Sequence, residues 1–171
     1  MKLGILGGTF DPVHNGHLAL AEAAARRAAL DRVLLVPCAR PPHKDRTGLT
    51  DGYQRYAMLA LAADGSPGLA VSPLELLRGG ISFTAETLGE ISAERPGADL
   101  FLLVGSDSFV EMETWRDLDR ILALAAVLVL HRPGAGARDP VDAAPAALKG
   151  RILPPGEALP APARQALPLA A

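Results

Sequence analysis

The sequence has few of the residues that build disulfide frameworks, metal clusters or stacking surfaces. Only one of its 171 residues is a cysteine, Cys38, so the chain can form neither an internal disulfide nor a cysteine-rich metal cluster. Aromatic residues make up 4% of the chain, which argues against the broad platform on which single-stranded RNA stacks. A lone cysteine also fits a reducing compartment.

Long apolar runs and a dominant charge are missing as well. No apolar run approaches the ~20 residues that cross a bilayer, and the first residues turn glycine-rich without the apolar core of a signal peptide. Lysine and arginine number 17 against 19 acidic residues, so the net charge of −2 gives no overall basic field for nucleic acid. These absences predict a cytoplasmic protein that binds neither membrane nor nucleic acid, and they leave its oligomeric state open.

Short apolar runs alternate with longer alanine-rich segments along the chain. This alternation predicts an α/β fold, a doubly wound and mostly parallel sheet. Strands are predicted at 3–6, 32–37, 69–72, 100–104 and 127–130, with another candidate at 151–153. Helices are predicted over 16–30, from Asp51 to 63, from Thr84 or a neighbour to about 94, and from Asp117 to 125, with Asp51 and Asp117 as N-caps.

The composition changes from residue 133 onward, where eight of the 15 prolines lie among many alanines. Residues 158–171 have only a weak helical pattern, which three prolines interrupt. We therefore expect one domain over 1–171, in which 133–171 form a divergent C-terminal part rich in proline and alanine.

Glycine-rich and polar segments follow four of the predicted strands. They are residues 7–8, residues 37–44, residues 105–107 and Arg132. The carboxyl ends of parallel strands meet at one edge of a sheet, and ligands gather beyond that edge. The four segments are therefore expected to converge on one binding site.

The strongest chemical signal is the segment 7–17, Gly-Gly-Thr-Phe-Asp-Pro-Val-His-Asn-Gly-His. Its glycines let the backbone approach a ligand closely after the first strand. His14 and His17 are three residues apart at a helix start, so both can face one way, and a helix N-terminus favours anions. The segment therefore predicts a phosphate-binding corner.

Three other interpretations of this segment are weaker. Incidental histidines after a glycine turn would explain an isolated His-x-x-His but not the whole segment. A zinc pair lacks an evident third protein ligand and the His-Glu-x-x-His pattern. A Rossmann dinucleotide site is not indicated, because Gly-x-Gly-x-x-Gly is absent.

The segment resembles the signature of the nucleotidyltransferase superfamily that carries His-x-Gly-His after its first strand. Further matches narrow the resemblance to bacterial nicotinate-nucleotide adenylyltransferases. They are Pro-Pro-His-Lys at 41–44, Arg55 in the next helix, Ser-Phe-Thr at 82–84, Gly-Ser-Asp at 105–107, Thr-Trp-Arg at 114–116 and Arg-Pro-Gly at 132–134. Phe83 replaces the usual tyrosine. The resemblance covers residues 1–134 and implies a Rossmann-like nucleotidyltransferase fold.

The resemblance also implies which residues contact ATP. The residues implied to hold or approach ATP are Gly8, Thr9 and Phe10 through their backbone, together with His14, His17, Gly105, Asp107, Arg132 and Arg164. Three residues are implied to be catalytic because they offset charge that grows toward the leaving pyrophosphate: His14, His17 and Lys44. Taken alone, Asp107 is more typical of a helix N-cap.

Other residues are implied to bind the second substrate. Lys44 adds positive charge near the phosphates, Thr84 contacts the pyridine ring through its backbone, and Trp115 stacks on that ring. A flat, acidic aromatic ring suits the face of an indole. Taken alone, Trp115 is more typical of core packing and Lys44 of a solvated loop.

One segment departs from the family pattern. The family carries a late Ile-Ser-Ser/Thr-Thr-x-Ile-Arg segment, whose hydroxyls and amides at a helix start hold ATP phosphates. The best placement here is Ala-Leu-Pro-Ala-Pro-Ala-Arg at 158–164, in which only Arg164 matches. The hydroxyls are absent and two prolines lack a backbone N–H, so weaker ATP binding is expected than in relatives that keep the segment.

The function implied by the resemblance is adenylyl transfer from ATP to nicotinate mononucleotide, with Mg²⁺ arriving on the ATP phosphates. Direct attack needs no enzyme nucleophile, so catalysis would come from positioning and charge stabilisation. Two alternatives remain open: transfer to another phosphorylated small molecule such as phosphopantetheine, and nucleotide binding with reduced or lost turnover. The choice between nicotinate and nicotinamide is not decided by the sequence.

Overall fold

A six-stranded parallel sheet organises the fold. The computed structural model describes residues 1–42, 48–130, 144–145, 148 and, through their backbone, 166–169. The strands follow one another along the sheet in the order β3-β2-β1-β4-β5-β6, and every neighbouring pair is parallel. Their bounds are Lys2–Gly8 (β1), Arg32–Pro37 (β2), Leu69–Val71 (β3), Asp99–Gly105 (β4), Ala125–Leu130 (β5) and Ala166–Leu169 (β6).

Helices occupy the connections between the strands. Their bounds are Asn15–Arg27 (α1), Gly52–Ala63 (α2), Leu74–Arg78 (α3), Thr84–Glu94 (α4), Ser106–Val110 (α5) and Leu118–Leu124 (α6), with a 3₁₀ turn at Met112–Thr114. No helix within the described residues is both long enough and apolar enough to cross a membrane.

Apolar side chains from the helices cover both faces of the sheet. On one face, α1 and α2 contribute Ala21, Ala24 and Leu59 to one buried cluster. On the other face, α4 and α6 contribute Leu88 and Ile121 to a second cluster. Strands β1 to β5 alternate their side chains between the two clusters, as the pleat requires. The predicted doubly wound α/β fold is confirmed.

Most of the predicted strands and helices are confirmed. They could be predicted because their apolar runs are long enough to show the residue spacing of a strand or a helix. The strand predicted at 32–37 has those bounds, and the helix predicted from Thr84 to about 94 is α4. Asp51 caps α2 as expected: its carboxylate accepts hydrogen bonds from the backbone N–H groups of Tyr53 at 2.9 Å and Gln54 at 3.3 Å.

One prediction about local structure is wrong. Asp117 precedes α6, but its backbone is left-handed (φ 58°, ψ 52°) and its side chain makes no cap hydrogen bond. A capping side chain usually needs an extended backbone to reach the first amides of the helix. Within 158–171, where the sequence shows only a weak helical pattern, residues 166–169 form β6 and pair with the edge of β5. The strand predicted at 151–153 lies outside the described residues.

Gly4 offers a stability prediction for the centre of the sheet. A Cβ at Gly4 would lie 2.8 Å from Leu30 Cδ1 and 3.0 Å from Val33 Cγ2, whereas a Cβ at Gly7 in the same strand would meet nothing within 4 Å. Gly4→Ala is therefore expected to lower the free energy of unfolding by about 1–3 kcal/mol through overpacking. Gly7→Ala is the matched control, and equal denaturant midpoints for the two variants would contradict this packing account.

Candidate active site

The two central strands separate at their carboxyl ends. β1 pairs with β2 as far as Gly8 and Pro37, but with β4 only as far as Ile5 and Leu102. The strand order also reverses between β1 and β4, because β2 and β3 lie on one side of β1 while β4 and β5 lie on the other. Such a switch point opens a crevice where α/β proteins bind ligands.

Two adjoining cavities lie at this switch point. A cavity of about 170 Å³ is lined by the end of β1, including Gly7 to Thr9, and by Leu102 of β4. A second cavity of about 320 Å³ is lined by Thr84 and by residues after α5. Thr84 and Trp115 line both cavities, so the indole of Trp115 lies at the boundary between the two cavities. The site therefore has an inner part next to β1 and an outer part beside α4.

The start of α1 brings together the two histidines of the predicted phosphate corner. His14 is the N-cap of α1, and the stacked rings of His14 and His17 have their centroids 3.7 Å apart. The backbone N–H of His14 donates to Nδ1 of His17 at 3.3 Å. In the neutral His17 ring the proton is therefore on Nε2, the atom that can donate to a phosphate oxygen. The first turn of α1 carries no acidic side chain, so its dipole favours an anion.

Two glycines of the segment lie close to neighbouring side chains. A Cβ at Gly16 would lie 3.0 Å from Nδ1 of His14, whose ring folds back over that position. A Cβ at Gly8 would lie 3.1 Å from the buried ring of Phe10. The His-x-Gly-His spacing therefore lets the two imidazoles stack, while Phe10 anchors the loop in the core and offers only its backbone to a ligand.

A second helix start lies at the end of β4. Gly105 is the N-cap of α5, and Asp107 is in the first turn with an exposed side chain. The carboxylate of Asp107 folds back toward Gly105, where a Cβ would meet its Oδ1 at 2.5 Å. Neither residue lines the two cavities; both lie where β4 ends and α5 begins.

The outer cavity has an aromatic and charged wall. The guanidinium carbon of Arg116 lies 4.5 Å from the centroid of the Phe83 ring, a cation–π contact. Arg116 also pairs with Glu86 at 3.4 Å. Trp115 is half-buried and packs on the core while lining the cavities, so it serves both as a packing residue and as a wall of the site.

A buried thiol and a buried carboxylate line the inner cavity. Cys38 follows β2, and burial raises the pKa of its thiol, while Arg55 nearby lowers that pKa and Glu75 raises it further. Glu75 accepts a hydrogen bond from the hydroxyl of Thr87 at 2.6 Å. Because the thiol stays protonated near neutral pH, Cys38 is a wall of the cavity rather than a nucleophile.

Comparisons with known proteins show the family of the chain. The family model described as cytidylyltransferase-like matches residues 5–161. The chain is 45% identical over 152 residues to a protein of Citrifermentans bemidjiense named probable nicotinate-nucleotide adenylyltransferase, covering 89% of this chain and 70% of that one. A Geobacter sulfurreducens protein of the same name is 44% identical over 152 residues, with the same coverage. The chain belongs to the nicotinate-nucleotide adenylyltransferase family.

Solved structures support the fold of this family member. A Plasmodium falciparum nicotinic acid mononucleotide adenylyltransferase complexed with NaAD superposes with a TM-score of 0.73 at 15% identity, covering 99% of this chain and 75% of that one. A putative nicotinate-nucleotide adenylyltransferase from Vibrio parahaemolyticus gives a TM-score of 0.64 at 22% identity, covering 77% and 74%. At these identities the likeness shows the fold, which is the predicted Rossmann-like nucleotidyltransferase fold.

The structure brings most of the predicted site residues to one edge of the sheet. Those present there are Gly8, Thr9, Phe10, His14, His17, Thr84, Gly105, Asp107 and Trp115. Three predicted residues lie outside the described residues: Lys44, Arg132 and Arg164. Within the described part of the chain, no three His, Cys, Asp or Glu side chains come together as a metal site.

Sequence reasoning missed part of the site of this family member. Cys38, Glu75 and Glu111 line the cavities, yet none of them belongs to a motif that indicates chemistry. Glu75 lies in α3, whose five residues are too few to show a helical period. For Arg116 a signal existed, because it belongs to the Thr-Trp-Arg match beside Trp115.

Proposed function

We propose that this chain transfers the adenylyl group of ATP to nicotinate mononucleotide. A phosphate oxygen of the mononucleotide attacks the α-phosphorus of ATP, the bond from that phosphorus to the bridging oxygen breaks, and pyrophosphate leaves. The products are nicotinate adenine dinucleotide and pyrophosphate. No covalent intermediate on the protein is required, so the protein contributes orientation and charge stabilisation.

One observation supports the proposal: the phosphate corner at the start of α1 lies beside the inner and outer cavities, and the indole of Trp115 lies at the boundary between them. The stacked His14 and His17 and the start of α1 suit a triphosphate, which needs donors and positive potential. The outer cavity, with Thr84 and Trp115, suits a flat pyridine ring. Two different substrates can therefore lie side by side at the switch point.

Residue roles within the proposal follow the family pattern. The backbone at Gly8 to Phe10 would hold the ATP phosphates, and Gly105 and Asp107 would approach the ATP ribose. Lys44, Arg132 and Arg164 would add positive charge around the phosphates. Mg²⁺ would be held mainly by phosphate oxygens, since that ion keeps several waters and few protein ligands.

Pyrophosphate release tests the proposal and its alternatives together. The chain is supplied with Mg²⁺-ATP and, in separate reactions, with nicotinate mononucleotide, nicotinamide mononucleotide or phosphopantetheine. We expect release with nicotinate mononucleotide well above the reaction without acceptor. Release with phosphopantetheine alone would assign a different acceptor. Binding of ATP with no release for any acceptor would indicate a relative that has lost turnover.

A further inference from the structure

A fully buried arginine links three segments at the site. Arg55 of α2 is 0% exposed. Its Nη1 donates to the carbonyl of Thr9 at 2.6 Å, its Nη2 to the carbonyl of Cys38 at 2.8 Å, and its Nε to the carbonyl of Thr50 at 2.9 Å. These carbonyls belong to the loop after β1, the loop after β2 and the segment before α2.

The surroundings of Arg55 are costly for a cation. It lies near the start of α2, where the helix dipole disfavours positive charge. A buried charge is usually stabilised by an opposite charge, yet no carboxylate of the described residues forms an ion pair with Arg55. A charge kept at such a position points to a role beyond packing.

The loop held by Arg55 is the one that offers its backbone to phosphate. Phe10, next to Thr9, has a positive φ of 49°, a conformation that a bulky residue keeps only when its surroundings impose it. A second contact links this loop to the segment before α2. The backbone N–H of Thr50 donates to Oδ2 of Asp11 at 2.9 Å. Arg55 and Asp11 thus hold the loop through two separate contacts, which together form a clamp.

We propose that Arg55 is a positioning residue for the ATP phosphates. Its guanidinium holds the Thr9 carbonyl inward, so that the amides of the loop face the anion, and it places a fixed positive charge beneath them. The forked guanidinium suits this task because it reaches three carbonyls at once, which a single ammonium group cannot do. The inference rests on the proposed function only in taking the ATP triphosphate as the ligand of this corner.

Calorimetric titration of the full chain with Mg²⁺ and a non-hydrolysable ATP analogue tests the inference. Arg55→Lys keeps the charge and is expected to weaken analogue binding roughly tenfold, as for the loss of charge-assisted contacts. Arg55→Met loses the charge too and is expected to weaken it further. The dissociation constant for nicotinate mononucleotide should change less than twofold. In steady-state kinetics, the KM for ATP should rise while the KM for the mononucleotide stays unchanged.

The matched control is Ile91→Ala in α4, on the opposite face of the sheet. Ile91 is 1% exposed and belongs to the other core cluster, so its truncation leaves a cavity away from Phe10 and the loop. This variant should lower the melting temperature while leaving the dissociation constant for the ATP analogue unchanged. A merely structural role for Arg55 predicts that Arg55→Lys behaves in the same way, and that result would overturn the proposal.

Asp11→Ala keeps the test decisive even if the Arg55 variants do not fold. Asp11 is exposed, so its truncation spares the core while releasing one side of the clamp. Analogue binding is expected to weaken severalfold, with mononucleotide binding retained. Unchanged analogue binding would contradict the clamp. Because these titrations need no turnover, they stand even if the pyrophosphate assay assigns a different acceptor.

Discussion

Replacing His17 with alanine is expected to lower kcat by on the order of 100-fold, because one contact that stabilises developing charge is lost at about 3 kcal/mol. The circular dichroism spectrum should be retained, since His17 is only half-buried at the first turn of α1. The measurement is steady-state pyrophosphate release with saturating ATP and nicotinate mononucleotide.

Two further variants separate the nitrogens of the His17 ring. His17→Asn places a polar atom near Nδ1 and can still accept the bond from His14 N–H, which His17 accepts at 3.3 Å. His17→Gln places its amide near Nε2 and can still donate to phosphate. If Nε2 faces the phosphates, the glutamine variant retains more activity than the asparagine variant. Full activity in a folded His17→Ala protein would remove His17 from the mechanism.

Trp115→Ala is expected to raise the KM for the mononucleotide roughly tenfold, because a stacking contact and its buried area are lost together. The KM for ATP should change far less, since the phosphate corner lies at α1, away from the outer cavity. Steady-state kinetics with each substrate varied in turn measure both constants.

Trp115→Phe is the matched variant, because it keeps an aromatic face while losing part of the area. Its KM for the mononucleotide should lie between those of the wild type and the alanine variant. The half-buried indole also packs on the core. If both Michaelis constants rise equally in Trp115→Ala, packing rather than stacking is the role of Trp115.

The sequence could predict the features that depend on the spacing of apolar residues within a segment and on the direction of the strands. Apolar runs such as Val33 to Val36 mark buried strands, and alternating strands and helices imply parallel pairing. Parallel pairing in turn brings the ends of β1, β2, β4 and β5 to one edge. The proximity of His14 and His17 was also predictable, since both lie in one continuous segment at a helix start.

What the sequence could not predict depends on contacts between distant segments. The family resemblance includes Arg55, but the sequence does not show that it is buried, because the three carbonyls that surround it come from separate segments. The left-handed backbone of Phe10 is imposed by such surroundings and not by residue type. Cys38 and Glu75 meet at the inner cavity only because β2 and α3 fold against each other there.

Transfer of a labelled α-phosphate tests the central claim most directly. The chain, in excess over ATP labelled at the α-phosphate, is mixed with Mg²⁺ and nicotinate mononucleotide in a single turnover. The account predicts that the label appears in nicotinate adenine dinucleotide at the rate at which pyrophosphate is released, with none bound to the protein. Label on the protein, or label that remains in ATP while the mononucleotide is present, would contradict it.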